Sequence, residues 1–146
     1  MKSARRRSRE FVVQGLYQWQ INANDPALIA DDLMQTKGFA EADAKHFRTL
    51  LHGVIGDVDN LRAQLAPCLD RPVKGLSPVE HAILLLGAYE LKHHLETPYR
   101  VVINEAVELA KTFGGTDGFK FVNGVLDKLV ANLRPAEAAE ANAGRR

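Results

Sequence analysis

The stretch SPVEHAILLLGAYEL (residues 77–91) predicts a helix and marks where it begins. Ser77 is a preferred helix cap, and Pro78 takes the first helical position, where its missing N–H removes no hydrogen bond. Glu80 follows Ser77 by three residues, which is the pattern of a capping box. The apolar residues behind this start recur at helical spacing: Val79, Ile83, Leu86 and Leu91. We expect the helix to end near His94.

The segment downstream repeats these signals. Thr97 followed by Pro98 predicts the start of a helix that runs to Phe113 and ends at the two glycines 114–115. Asp117 is expected to cap a last helix, whose apolar residues are Val122, Val125, Leu126, Leu129 and Leu133. The dipeptide Asn123-Gly124 favours a turn by composition, but the apolar spacing continues through it, so we expect it to be helical.

The segment upstream is helical as well. Asp25-Pro26 predicts the start of a helix that runs to about Lys37 and stops at Gly38. From Glu41 a longer helical pattern extends to Leu65, and its two internal glycines mark a kink or a close helix contact. No convincing strand period appears. The sequence therefore predicts a single compact all-α domain of about seven helices without a sheet over residues 1–134, followed by a flexible tail over residues 135–146.

Composition restricts the classes of function. The chain has 146 residues and a formal net charge of +1, so any attraction to polyanions must come from a local patch. The lone Cys68 cannot form an internal disulfide and is expected to be buried. No apolar run has the length of a signal-peptide core or a membrane span. We expect a cytoplasmic protein that does not enter a membrane.

No motif of catalysis or metal binding stands out. The five histidines include no pair at helical i, i+4 spacing. Glu105 and Glu108 form a carboxylate pair by spacing, but Glu108 can pair with Lys111, and acidic residues early in a helix are favoured by its dipole. We expect no enzymatic activity, no metal and no cofactor.

The stretch ARRRSRE (residues 4–10) places four arginines within five positions at the start of a helix that Ser3 is expected to cap. This pole of a helix is positive, so the arginines are disfavoured there and repel one another. We expect this end to project into solvent and to bind a polyanion, since the guanidinium fork matches phosphate oxygens. The alternatives are a solvated, frayed N-terminus and a targeting signal.

Two segments resemble the NusB family of bacterial transcription antitermination factors: ARRRSREFVVQGLYQWQ (residues 4–20) and TPYRVVINEAVELAKTFGGTDGFKFVNGVLDKL (residues 97–129). The second is the more specific, and the Ala/Glu-rich tail is not part of the family pattern. The resemblance implies an all-α fold without catalytic activity. It also implies an RNA-binding protein that recognises boxA, a short single-stranded element of nascent transcripts, notably ribosomal RNA leaders. Its implied partners are NusE, a small-subunit ribosomal protein, and indirectly other Nus factors and RNA polymerase.

The resemblance also implies which residues bind. The arginine-rich motif corresponds to positions expected to contact RNA: Arg5, Arg6, Arg7 and Arg9. The stretch GGTDGFKFVNG supplies three more positions at or near the RNA surface: Asp117, Lys120 and Phe121. Tyr17 and Glu80 match positions associated with NusE, although Glu80 is equally explained by its place in the capping box.

Several alternatives stay open from sequence. Tyr17 and Phe121 are also typical core-packing residues. The arginines suit an acidic protein partner as well as RNA, which would make the chain a pure protein-interaction module. NusB-like domains also occur fused to methyltransferases, but this chain has no room for a cofactor-binding α/β domain. Family members occur as monomers and as dimers, so a homodimer that masks the arginines is a further alternative.

Overall fold

A computed structural model describes residues 2–115 and 117–143, and within these ranges the chain forms eight α-helices and no strand. The helices are α1 (Ala4–Asn22), α2 (Pro26–Met34), α3 (Ala44–Gly56), α4 (Val58–Leu65), α5 (Pro78–His93), α6 (Tyr99–Phe113), α7 (Gly118–Leu133) and α8 (Pro135–Ala143). The predicted all-α fold class is confirmed. The predicted count of about seven differs because α8 lies in the segment expected to be a tail.

Helix α5 forms the centre of the core. Its residues from His81 to Ala88 are all buried, and α1, α3, α4, α6 and α7 pack around it. A helix that is apolar on every side must be enclosed in this way. Cys68, in the short turn after α4, is buried as predicted. No helix in the described part of the chain is long and apolar enough to cross a membrane.

The predicted helix starts are confirmed where the cap is a local side chain. The side chains of Ser3, Asp25 and Ser77 accept backbone N–H hydrogen bonds at the starts of α1, α2 and α5. The capping box at α5 is only half formed. The Ser77 hydroxyl accepts from the Glu80 N–H at 3.1 Å, but the Glu80 carboxylate accepts from that hydroxyl (3.3 Å) rather than from the Ser77 N–H.

The long pattern from Glu41 divides into two helices at Asp57. The close helix contact expected in this region is at Gly53, where a methyl group on the α-carbon would collide with the Tyr89 hydroxyl oxygen of α5. Gly53 therefore lets α3 approach α5 closely. Helix α2 ends at Met34, slightly before the predicted Lys37.

Two predicted caps are wrong. Thr97 makes no capping bond, and the Tyr99 N–H at the start of α6 donates instead to the carboxylate of Glu137 at 3.2 Å. Asp117 occupies the N-cap position of α7, but its side chain accepts no backbone N–H there. At α6 the better partner comes from a distant part of the chain, Glu137 of α8. At α7 the partner is local: the Asp117 carboxylate pairs with Lys120, three residues on, at 3.5 Å.

The end of the described chain is tied to the core through Arg134. Its buried guanidinium donates to four carbonyl oxygens at the end of α5 and in the following loop, at 2.6–3.2 Å: those of Glu90, Leu91, His94 and Thr97. Arg134 also pairs with Glu137 at 2.7 Å. The first turn of α8 is therefore fixed to α5 and α6. The flexibility of residues 135–146 stays a prediction, and residues 144–146 lie outside the described ranges.

Candidate nucleic-acid interface

The start of α1 is packed against the protein rather than projecting into solvent. Ser8 is fully buried, and its hydroxyl group lies 2.8 Å from both the carbonyl oxygen and the backbone nitrogen of Asp43, at the start of α3. Arg9 is only 6% exposed. The expectation that this end projects is therefore wrong. The sequence shows only the arginines at this end of the helix; their acidic partners come from α5, from α6 and from Glu41 before α3.

Carboxylates from distant parts of the chain neutralise three of the four arginines. Arg9 makes two hydrogen bonds to Glu90 of α5, at 2.8 and 3.0 Å. Arg6 makes two to Glu105 of α6, at 2.9 and 3.2 Å. Arg7 pairs with Glu41 at 3.2 Å. From the sequence we expected an external polyanion to neutralise these arginines. For these three residues, carboxylates of the protein itself do so.

The environment keeps the paired guanidinium groups charged. Burial lowers the pKa of Arg9, but the hydrogen bonds and negative charge of Glu90 outweigh it, so the pKa is raised overall. Hydrogen bonding to Glu105, and then the charge of that carboxylate, raise the pKa of Arg6. Arg6 differs from Arg9 in access, because 38% of its side chain is exposed. Arg6 can therefore present its remaining donors to a ligand, whereas Arg9 is enclosed.

Arg5 is exposed and forms no salt bridge with any other residue in the described ranges. It lines a cleft of about 180 Å³ together with residues from the start of α3: Asp43, Lys45, His46 and Thr49. The hydrogen bond from the His46 N–H holds the pKa of the Asp43 carboxyl below its usual range, with smaller contributions from nearby positive charge. The cleft therefore keeps a negative group beside Arg5 and Lys45 near neutral pH.

Three of the four arginines, at consecutive positions in the first turn of α1, remain accessible to solvent. Arg5 is exposed, and the side chains of Arg6 and Arg7 are half-buried beside their carboxylate partners. We call these three side chains the arginine edge (Arg5, Arg6, Arg7). Arg6 and Arg7 share their charge with carboxylates but remain accessible to a ligand, whereas Arg9 is enclosed.

The second predicted cluster lies at the start of α7. Asp117 and Lys120 are exposed and pair with each other at 3.5 Å. Phe121 is partly buried, and the guanidinium carbon of Arg71 lies 4.3 Å from its ring centroid. The structure therefore places an exposed ion pair beside a covered aromatic ring. Phe121 packs against the core in part, as the alternative interpretation of its sequence predicted.

The two clusters lie toward opposite ends of α5. Arg9 of α1 binds Glu90 near the C-terminal end of α5, whereas Gly118 of α7 approaches Glu80 near its N-terminal end. Ten residues of helix separate these two glutamates, which corresponds to about 15 Å along the axis. A ligand that contacts both clusters must therefore be extended. A nucleic-acid strand satisfies that requirement, and a small molecule does not.

Tyr17 and Glu80, the two residues expected to contact a protein partner, lie in the same region. Tyr17 is 42% exposed and lines a mostly apolar groove of about 380 Å³ between α1, α5 and α6. The groove is lined by Val13, Gln14, Tyr17, Gln18, Val79 and Phe113. Glu80 directly follows Val79, and its carboxylate approaches Gly118 of α7. The groove therefore borders the start of α7.

Sequence reasoning did not identify the partners of the predicted site residues: the carboxylates that pair with the arginines and the Arg71 side chain that covers Phe121. Glu90 carried a signal, because an acidic residue inside the apolar stretch AILLLGAYEL needs a partner if it is buried. Glu105 was identified only as half of a carboxylate pair. Arg71 and Glu41 carried no local signal, since each acts through a residue that is distant in the sequence.

Comparisons with known proteins agree on one family. The NusB family model matches residues 6–131. The transcription antitermination protein NusB of Paraburkholderia phymatum is 61% identical over 141 residues, which span 97% of this chain and 97% of that protein. The protein of the same name from Bordetella pertussis is 57% identical over 144 residues, spanning 96% of this chain and 94% of that protein.

Solved structures show the same fold. A structure of T. maritima NusB superposes with a TM-score of 0.83 at 29% identity, covering 96% of this chain and 99% of that chain. A crystal structure of the antitermination factors NusB and NusE in complex with dsRNA superposes with a TM-score of 0.76 at 22% identity, covering 90% and 99%. At that identity the second structure supports the fold alone.

Proposed function

Because the chain belongs to the NusB family, we propose that it is a transcription antitermination factor that binds single-stranded boxA-type RNA in nascent transcripts together with NusE. It acts without catalysis, as an adaptor that joins RNA to other Nus factors and RNA polymerase. Such a role places it in the cytoplasm. The single observation that carries the RNA-binding part is the arginine edge, three accessible arginine side chains in the first turn of α1 of a protein with a net charge of only +1.

The arginine edge supplies the contacts to the RNA backbone. Arg5 has no carboxylate partner within the described ranges, and about a third of the Arg6 and Arg7 side chains is exposed beside their partners. Phosphate oxygens accept from guanidinium donors two at a time, so the unused donors of these residues suit a backbone. Arg9 has a different role: it holds the first turns of α1 on α5 and thereby fixes the direction of the edge.

The start of α7 supplies contacts to the bases. Sequence-specific RNA recognition targets unpaired bases, which stack on aromatic or guanidinium planes and bond along their edges. Asp117 is exposed and its carboxylate is free of the capping role, so it can accept from a base amino group. Lys120 and the exposed part of Phe121 lie within the same turn of α7.

NusE is proposed to dock on the groove beside Tyr17. The groove is mostly apolar and borders Glu80, which suits a partner that buries an apolar anchor next to a basic group. Its position next to the start of α7 allows NusE and RNA to contact neighbouring surfaces. Membership of the NusB family favours NusE as the occupant, and a homodimer of this chain is the alternative.

A titration of labelled RNA tests the RNA-binding role. Fluorescence anisotropy with a boxA-type single strand is measured for the protein alone and then with NusE, at several salt concentrations. If the three residues of the arginine edge each neutralise one phosphate, log K falls against log salt with a slope of about −2. Four contacting arginines, as the sequence suggested, give about −3. A duplex of the same sequence is measured in parallel to distinguish single-strand from double-strand binding.

Variants locate the contacts. Arg6→Ala with Arg7→Ala is expected to weaken binding and to make the slope shallower, because two phosphate contacts are lost. Arg48→Ala is the matched control, since Arg48 is an exposed arginine of α3 that lies against Met34 of α2. Equal affinity of the double variant and the unmodified protein, or a flat salt dependence, contradicts the proposed backbone contacts.

A further inference from the structure

Arg71 covers the Phe121 ring from a loop that no family motif singled out. Its guanidinium carbon lies 4.3 Å from the ring centroid, and its alkyl chain passes 3.7–3.9 Å from where a methyl group on Gly75 would lie. At these distances such a methyl group would be in ordinary van der Waals contact, so the Arg71 alkyl chain runs beside the Gly75 backbone. Stacking on the ring and packing near Gly75 together hold an exposed arginine in one place.

The N–H donors along one edge of the Arg71 guanidinium are already used within the protein. Its Nε and Nη2 atoms donate to the two carboxylate oxygens of Asp70, at 2.7 and 3.3 Å. This pair neutralises the guanidinium charge and uses the donor edge that would otherwise grip a phosphate. The side chain is still 43% exposed. The accessible part is therefore a neutralised planar surface rather than a free cation.

A neutralised guanidinium plane has a preferred ligand. Bases stack on aromatic rings and on guanidinium planes, and this attraction depends little on salt because it is not an exchange of counterions. Phe121 alone is partly covered and presents little free ring surface. Arg71 extends the aromatic surface outward, beside Lys120 and Asp117.

We propose that Arg71, stacked on Phe121 and held by Asp70, forms the platform on which one unpaired base of the bound RNA stacks. This inference rests on the proposed RNA-binding function and adds a base-stacking residue to it. The loop between α4 and α5 thereby becomes part of the RNA surface. The role is to hold a base in place, not to neutralise the backbone.

Binding of labelled boxA-type RNA to Arg71 variants tests the platform. Arg71→Ala is expected to weaken binding about tenfold, which corresponds to the loss of one stacked base. Because Arg71→Ala leaves the Asp70 carboxylate unpaired, the salt slope is measured in Arg71→Ala with Asp70→Asn, which keeps the local charge at zero, and it is expected to equal that of the unmodified protein. Arg71→Lys keeps the charge but lacks the plane, so it is expected to bind as weakly as the alanine variant. Asp70→Asn is expected to weaken binding too, because the plane is then less well held.

A set of RNAs, each with one abasic position, identifies the base. At one position the abasic RNA is expected to bind the unmodified protein and Arg71→Ala equally, because the stacked base is missing in both cases. Arg100→Ala is the matched control: Arg100 also lies over an aromatic ring, with its guanidinium carbon 5.7 Å from the Tyr99 centroid, but at the start of α6. It is expected to bind RNA normally.

The possible contrary results distinguish failure of the platform from failure of the RNA-binding function. Normal binding by Arg71→Ala, or rescue by Arg71→Lys, overturns the platform while leaving the proposed function intact. A salt slope that becomes shallower by about 0.7 in Arg71→Ala with Asp70→Asn shows a phosphate contact and also overturns it. Tighter binding by Asp70→Asn points to the same phosphate contact. Failure of the unmodified protein to bind any of the RNAs overturns the RNA-binding function and the platform together.

Discussion

Replacing Glu90 by Gln should destabilise the fold severely, because it leaves the buried Arg9 guanidinium without its counter-charge. Both side chains are almost fully enclosed, and the two hydrogen bonds between them measure 2.8 and 3.0 Å. At an effective dielectric constant of about 20, a contact pair of unit charges contributes about 4 kcal/mol. Removing one member of a buried pair typically costs about 3–5 kcal/mol. The two values agree, so we expect a loss of about 4 kcal/mol.

The charges next to Arg9 oppose each other. Glu105 attracts the Arg9 guanidinium and Arg6 repels it, with the effect of Glu105 the larger of the two. These charges therefore add little to the loss that follows from removing Glu90. A loss of about 4 kcal/mol is a large part of the stability of a typical domain and lowers Tm by about 10 °C in a chain of this size.

Urea unfolding followed by circular dichroism measures the effect. The control is Glu108→Gln, which removes an exposed carboxylate 3.8 Å from Lys111 and is expected to change stability by less than about 0.5 kcal/mol. The double variant Arg9→Met with Glu90→Leu removes both charges and fills the space, so it is expected to recover most of the stability. A Glu90→Gln protein within about 1 kcal/mol of the unmodified one, or a double variant as unstable as the single, would refute the reasoning.

Three further predictions concern other parts of the core. Burial, and then the charge of Arg9, lowers the pKa of His46 from 6.5 to about 4, so the native state binds fewer protons than the unfolded state in that window. The contribution of neutral His46 to stability is complete above pH 6.5 and is lost as the pH falls toward 4. His46→Gln should therefore flatten the plot of unfolding free energy against pH in this range. An unaltered plot would contradict a lowered pKa of His46. Gly53→Ala should lower the free energy of unfolding by about 1–3 kcal/mol, because the added methyl group overpacks against Tyr89. Gly56→Ala is the control: Gly56 has open space around it, so the change should be neutral or slightly stabilising. Equal denaturation midpoints for the two variants would contradict the close contact. Arg134→Met should cost at least about 2 kcal/mol because buried carbonyl oxygens lose their donors, and a thermal melt that matches the unmodified protein would show that water replaces the guanidinium.

The helix starts were predictable because their signals are local. Ser3, Asp25 and Ser77 each cap a backbone N–H only two or three residues away, so the pattern of residues contains both partners. The same reasoning failed at Thr97, whose expected place as a capping group is taken by Glu137 from α8. A local pattern cannot exclude a better partner that the fold brings in from elsewhere.

The site was predictable in its composition but not in its pairing. The family resemblance identified the arginine-rich start of α1 and the start of α7, and the structure leaves three of the four arginines accessible. The family resemblance did not indicate that Arg9 is enclosed or that Arg71 covers Phe121. Glu90 was the one recognisable sign, an acidic residue within an apolar stretch.

The sequence by itself determined the all-α class, most helix boundaries and the family, because apolar period and capping chemistry act over a few residues. Only the tertiary structure decided which charges remain available to a ligand. The partners of Arg9 and Arg6 lie 81 and 99 residues away along the chain, and no local pattern specifies contacts at such separations. Charge compensation depends on distance in space, and that distance exists only once α1, α5 and α6 have packed together.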